Sequence, residues 1–327
     1  MTFIGTHRTS TVLIGAAVFF GLGILSGWFM AGRQAASCGS KHPLINPGIV
    51  CGLSDVIRKT GYVATREKLL EFIGTEQEAG RVKEVAVYFR DLEHGPVFGI
   101  NELADFAPAS LTKLPLALVY LDFLEDEPTL LTTKIKYSST AIIPKQRVEP
   151  RQSAKPNQLY TIEELLRLML SYSDNASYEV LHQFLVVSPR RAQLGLEVFR
   201  ELGFIAPEST VDEVISVRGY ASIFRLLYNA SFLNGASSEK VLQWLADSDF
   251  NLGLAGGVPE KTVVAHKFGE RSFGDGTKQL HDCGIIYYPG NPYLLCIMTR
   301  GDNFDELAKV ISTVSEMVYR EVDSRRL

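Results

Sequence analysis

Residues 106–113 read FAPASLTK and run directly into LPLALVYL, an apolar stretch that ends at Leu121. The pattern predicts a helix over Leu111 to Leu124, with Ser110 and Lys113 at its start, three apart and on one face. At a helix N-terminus the free backbone N–H groups and the dipole favour negative charge. A lysine starved of water and close to other cations loses its proton more readily and serves as base to a neighbouring hydroxyl. The same spacing recurs at Ser237 and Lys240, where Ser237 or Ser238 reads instead as the N-cap of EKVLQWLAD.

Upstream, TREKLLEFIGTEQEAG (Thr65 to Gly80) is an amphipathic helix pattern, and EVAVYFRDL (Glu84 to Leu92) is a strand. A turn at His94-Gly95-Pro96 leads to a second strand, Val97 to Asn101, making a hairpin. Downstream come helix patterns at Ile162–Leu170, Ala176–Leu185, Arg191–Leu202 and Tyr220–Leu233; Thr161 and Glu164 form a capping box ahead of the first. Strand runs return at Thr262–Lys267, Leu280–Tyr288 and Tyr293–Thr299, and a helix over Asn303–Val322 closes the chain. Strands at both ends with helices between them predict an α+β domain whose antiparallel sheet is assembled from the N- and C-terminal strands and packs on a helical subdomain.

The 327 residues carry 33 Lys and Arg against 37 Asp and Glu, a net charge of -4, so the basic footprint of a nucleic-acid binder is missing. Four cysteines, none in a C-x-x-C pair, give neither a disulfide scaffold nor a zinc ribbon. The six histidines have no metal-ligand spacing, and G-x-S-x-G, H-E-x-x-H, Walker and G-x-G-x-x-G motifs are lacking; no metal or cofactor is expected.

Two further polar elements stand out. Ser173-Asp174-Asn175 sits between two apolar helices, either as an ordinary N-cap or as a hydroxyl that relays a proton beside an amide that grips a substrate. Lys267-Phe268-Gly269-Glu270 follows the strand run VVAH; the lysine offers positive potential and the glycine a close backbone approach, or the lysine is merely solvated. S-x-x-K, S-D-N and K-x-G in this order, 63 and then 94 residues apart, resemble the penicillin-recognising serine hydrolases, most closely the class A β-lactamases.

The resemblance covers the chain from about Val63 onward. It implies a β-lactamase/transpeptidase-like fold and acyl transfer through a covalent acyl-serine on a β-lactam or a peptidoglycan stem peptide. By similarity Ser110 is the nucleophile, Lys113 its base, Ser173 the proton shuttle and Lys267 a source of charge. Asn175, Phe268, Gly269 and Glu270 would line the substrate, and the backbone N–H groups of Ser110 and Glu270 would form the oxyanion hole. Two departures stand against the family pattern. Phe268 replaces a hydroxyl residue, and beside it Glu270 would repel a substrate carboxylate. FIAPESTVDEVISV (Phe204 to Val217) lacks the glutamate of the omega loop, with Glu208, Asp212 and Glu213 as candidates in name only. Slow deacylation follows, which makes a D-alanyl-D-alanine-type carboxypeptidase or transpeptidase the alternative to a β-lactamase; a catalytically idle sensor is a third reading.

Residues 1–33 contain a charge-free run, Val12 to Ala31, long enough to span a bilayer, which reads as an anchor holding the domain outside the cytoplasm. A cleaved signal segment or a lipid-modified Cys38 are the competing readings. Gly23, Gly27 and Ala31 have the spacing of a helix-pairing face, a pattern small residues also make by themselves in membrane helices. Residues 34–62 read as a tether, in which Cys38 and Cys51 are either bridged or two separate thiols, and 63–327 as the domain. Cys283 and Cys296 fall on neighbouring strands, either as a cross-strand bridge or, more commonly, as buried thiols.

Overall fold

The computed structural model describes residues 43–46, 61–138, 143–204 and 214–325. The alternating runs at the two ends of the chain do meet in one antiparallel sheet. Its strands are β1 (Glu84–Asp91), β2 (Val97–Ile100), β5 (Val264–Ser272), β6 (Lys278–Ile286) and β7 (Tyr293–Gly301), in the spatial order β2-β1-β7-β6-β5. A two-stranded ribbon, β3 (Lys134–Lys136) with β4 (Leu159–Thr161), lies apart from it and had no clear alternation in the sequence.

Because side chains alternate along a strand, each face of the sheet buries its own core. Val85, Val87 and Phe89 of β1 pack under the terminal helices α1 (Val63–Glu78) and α8 (Phe304–Ser324), together with Ile297 and Val314. Ala86, Leu294 and Ile285 face the helical body. That body contains α2 (Lys113–Asp122), α3 (Ile162–Ser171), α4 (Asn175–Val186), α5 (Pro189–Glu201), α6 (Val217–Tyr228) and α7 (Gly235–Ala246).

Local signals set most helix starts. Thr161 and Glu164 make the anticipated capping box on α3. Ser188 caps α5, which begins two residues ahead of the expected start with Pro189 at the first helical position, where its missing N–H costs nothing. The cap of α7 is a correction: Asn234, rather than Ser237 or Ser238, accepts from the Ser237 N–H, and the helix begins at Gly235. Lys240 of that second S-x-x-K is spent on an ion pair with Glu163.

Two other expectations change. Cys283 and Cys296, directly opposite in the β6–β7 register, are joined in a disulfide rather than left as buried thiols. Part of the presumed tether is docked: Leu44 and Ile45 are buried in the helical core, the Leu44 N–H donates to Glu239 Oε2 at 2.9 Å and the Asn46 N–H to the Tyr228 carbonyl at 2.7 Å. The predicted anchor and the Cys38–Cys51 pair lie outside the described residues. Among the described residues no helix is long and apolar enough to cross a membrane.

Candidate active site

Ser110 sits in a 3₁₀ turn, Ala109–Thr112, that runs without a break into α2. The segment before it is clamped to the sheet. The Ala107 N–H donates to Gln279 Oε1 at 3.0 Å, and His281 Nε2 donates to the Ala107 carbonyl at 3.1 Å. Burial lowers the His281 pKa to about 4, so the ring is neutral and the clamp carries no charge at neutral pH. Ala109, next to the serine, has a φ of 50°, a left-handed conformation that costs a residue with a Cβ and is held only by its surroundings.

Lys113 is 2% exposed, and its Nζ is the meeting point of two motifs. It lies 3.1 Å from Ser110 Oγ, 3.1 Å from Ser173 Oγ and 2.7 Å from Asn175 Oδ1, and it also donates to the Ser173 carbonyl. Desolvation lowers its pKa to about 7, against the opposing pull of Asp174 and Glu270. The N-cap reading of Ser173-Asp174-Asn175 holds, and the same turn brings Ser173 and Asn175 to Lys113. Asp174 is the N-cap of α4, accepting from the Ala176 and Ser177 N–H groups, the Ser177 and Ser153 hydroxyls and the Ala154 N–H. Its two neighbours are thereby turned toward Lys113, with Ser173 at a φ of 55°.

The third motif joins through Lys267, whose Nζ donates to Ser173 Oγ and to the Phe268 carbonyl, each at 2.8 Å. Burial is the main cause that holds its pKa well below the ordinary lysine value; the neighbouring Lys113 adds to it, while Asp282, Asp249 and Glu270 oppose it. Ser173 Oγ therefore stands between two amines that both resist protonation. Behind Lys267, buried His266 Nδ1 lies 2.8 Å from Asp282 Oδ1, a pair on which sequence reasoning was silent.

The cleft in front of these groups has a volume of about 510 Å³ and is lined by Ser110, Lys113, Asn175 and Glu270 among others. Phe268 is corrected: its ring is buried in the core, stacked on Phe250 at 4.2 Å, and does not face the cleft. Gly269 also serves a different purpose. A Cβ there would stand 3.1 Å from the Pro108 carbonyl and Leu111 Cγ, so the glycine admits the Ser110 turn, not a substrate, against β5. Glu270 does face the cleft, and its Oε1 accepts from the Arg147 and Val148 N–H groups at 2.6 and 3.0 Å.

Those bonds reveal a strap missed in the sequence. Residues 144–147 line the cleft, tied on one side by Asn175 Nδ2 to the Pro144 carbonyl at 2.9 Å and on the other by Glu270. The strap is irregular and carries no periodic signal. Tyr178 and Glu179, which also line the cleft, were within reach of reasoning, being three and four residues beyond Asn175 on one helix face. The omega-loop candidates Glu208, Asp212 and Glu213 lie outside the described residues. Among the described residues no cluster of three or more His, Cys, Asp or Glu could hold a metal ion.

Solved structures share the fold. An acyl-enzyme complex of a PBP-A variant with penicillin G superposes with a TM-score of 0.67 at 20% identity, covering 82% of this chain and 100% of its own. A β-lactamase from Chitinophaga pinensis gives 0.66 at 20% identity, over 79% and 99% of the two chains. One from Xanthomonas campestris pv. campestris gives 0.65 at 20%, over 79% and 98%. No curated protein matches the sequence. The model of the beta-lactamase enzyme family matches residues 65–322, from the first turn of α1 to the last turn of α8, and the chain belongs to that family.

Proposed function

We propose that this protein is a serine acyl-transfer enzyme that opens β-lactams and related D-amino-acid amides through an ester on Ser110. The observation that carries the reading is the Lys113 amine, buried, with a pKa of about 7, and 3.1 Å from the Ser110 hydroxyl. In its neutral form Lys113 has two N–H bonds and one lone pair. The Ser173 carbonyl and Asn175 Oδ1 hold the N–H bonds, which leaves the lone pair for Ser110.

Lys113 takes the Ser110 proton as Oγ bonds to the substrate carbonyl carbon, and the carbonyl oxygen gains charge between the N–H groups of Ser110 and Glu270. When the C–N bond breaks, the Ser173 hydroxyl gives its proton to the leaving nitrogen and regains one from Lys113. Lys267, through its bond to Ser173 Oγ, holds that relay in place. Water or an acceptor amine then removes the acyl group.

Within this class the peptidase reading, with a long-lived ester, is supported by the stretch Phe204–Val217, which lacks the glutamate that positions a deacylating water in the class A β-lactamases. Of the carboxylates at the cleft, Glu270 Oε1 accepts two strap N–H groups and Glu179 Oε1 accepts from Gln183. We place the domain outside the cytoplasm on the Val12–Ala31 anchor, a reading supported by the Cys283–Cys296 disulfide, which persists in oxidising compartments.

Intact-mass spectrometry of the full chain after exposure to benzylpenicillin tests the proposal. The expected result is a gain of one penicillin mass that decays slowly and is absent in Ser110→Ala. An adduct that survives that substitution refutes the nucleophile, rapid turnover without an adduct refutes slow release, and no reaction with any acyl donor leaves an idle domain.

A further inference from the structure

A second concavity lies toward the opposite edge of the sheet from the Ser110 cleft. On β1, Tyr88 and Arg90 alternate with the core-facing Val87 and Phe89 and so face α6. Arg218 and Arg225 lie on the facing side of α6, seven residues apart, about 10 Å along its axis. Together they border a groove of about 890 Å³, whose other lining residues include the helix cap Ser216 and one acid, Glu102. Three strand spacings, about 14 Å, separate β1 from β5. The groove and the cleft are therefore distinct.

The three guanidiniums differ from several other arginines of the body, though Arg200 and Arg271 share their lack of an ion pair or side-chain hydrogen bond among the described residues. Arg81 is paired with Glu76, Arg191 with Glu127 and Arg300 with Glu84. Arg90, Arg218 and Arg225 have neither an ion pair nor a side-chain hydrogen bond among the described residues. Among the described residues, three cations against Glu102 give the groove a net charge of +2, in a protein whose overall charge is -4. The N-terminal end of α6 opens on the same space and adds its positive dipole. Guanidinium forks match phosphate oxygens two at a time, and a row of them along a helix, faced by a third across a groove, fits an elongated ligand better than a single ion.

We propose that this groove binds a linear anion of the oligophosphate class, with charged units repeating along about 10 Å. The site is independent of the chemistry at Ser110.

Isothermal titration of the full chain at fixed ionic strength with sodium tripolyphosphate and with orthophosphate tests it. Tripolyphosphate should bind one equivalent, and more tightly than orthophosphate by at least about tenfold, a gap of about 1.4 kcal/mol. The Arg218→Gln/Arg225→Gln variant should lose at least about tenfold in affinity, as should Arg90→Gln, with melting curves unchanged because all three side chains reach solvent. No binding at about 1 mM, or equal affinity in the variants, overturns the site. Equal affinity for citrate overturns the phosphate assignment, and equal affinity for orthophosphate overturns the extended ligand. Tighter binding of a single-stranded oligonucleotide overturns it in favour of a nucleic acid.

Discussion

The pH dependence of acylation is the sharpest test of the cleft. Lys113 acts as a base only when neutral. A lysine at the ordinary 10.5 would be neutral in about one molecule in three thousand at pH 7, whereas one at about 7 is neutral in about half. The acylation rate should therefore climb about tenfold per pH unit below pH 6, bend near 7 and level off above about 8.5. At pH 6 it should be about a tenth of the plateau. Stopped-flow acylation with a chromogenic cephalosporin, extrapolated to saturating substrate, reads this rate apart from binding. Because desolvation is the main cause of the lowered value, Leu114→Ser on the same buried turn should wet the amine and move the bend upward. A rate that is flat from pH 6 to 8.5, or one that bends near 10, refutes the assignment of Lys113 as the base.

Stability follows from the same displacement. Between about pH 7 and 10.5 the unfolded chain keeps a proton on Lys113 that the folded chain has released, so folding gains stability as pH rises through that window. From pH 7 to 9 the parent should gain about 2 kcal/mol on Lys113→Met in urea unfolding, and parallel curves would sink the idea. Ser173→Ala should slow acylation by roughly 10²–10⁴-fold with little change in penicillin affinity; a large affinity loss at an unchanged rate would speak against a relay. Asp174→Ala strips a buried cap of five donors and should cost about 2–4 kcal/mol, read as a lowered melting temperature. Gly269→Ala should cost about 1–3 kcal/mol of stability, read as a lowered melting temperature, and slow acylation at least about tenfold, because the new methyl pushes on the backbone beside Ser110.

The sequence revealed groups more readily than their surroundings. Strand alternation and the Thr161 cap were legible because each depends on residues close together in the chain. Ser110, Lys113, Ser173 and Lys267 could be named as types at set separations, but their meeting depends on α2, α4 and β5 converging on one buried amine, which no local pattern encodes. Phe268 was misplaced because a strand residue belongs to one face or the other, and the choice was made by Phe250, eighteen positions away. The strap was invisible for the same reason: its hold is Glu270, more than a hundred residues downstream. Residues 43–46 look like linker by composition, yet two apolar side chains and a few hydrogen bonds to distant residues seat them on the body.

That seating sets the length of a leash. Leu44 lies thirteen positions beyond Ala31, a span of at most about 45 Å when fully drawn out. If Val12–Ala31 is held in a bilayer as proposed, the pinned Leu44 keeps the body within roughly its own diameter of the lipid. Such an enzyme patrols only the layer next to the membrane, and acyl donors farther out must come to it.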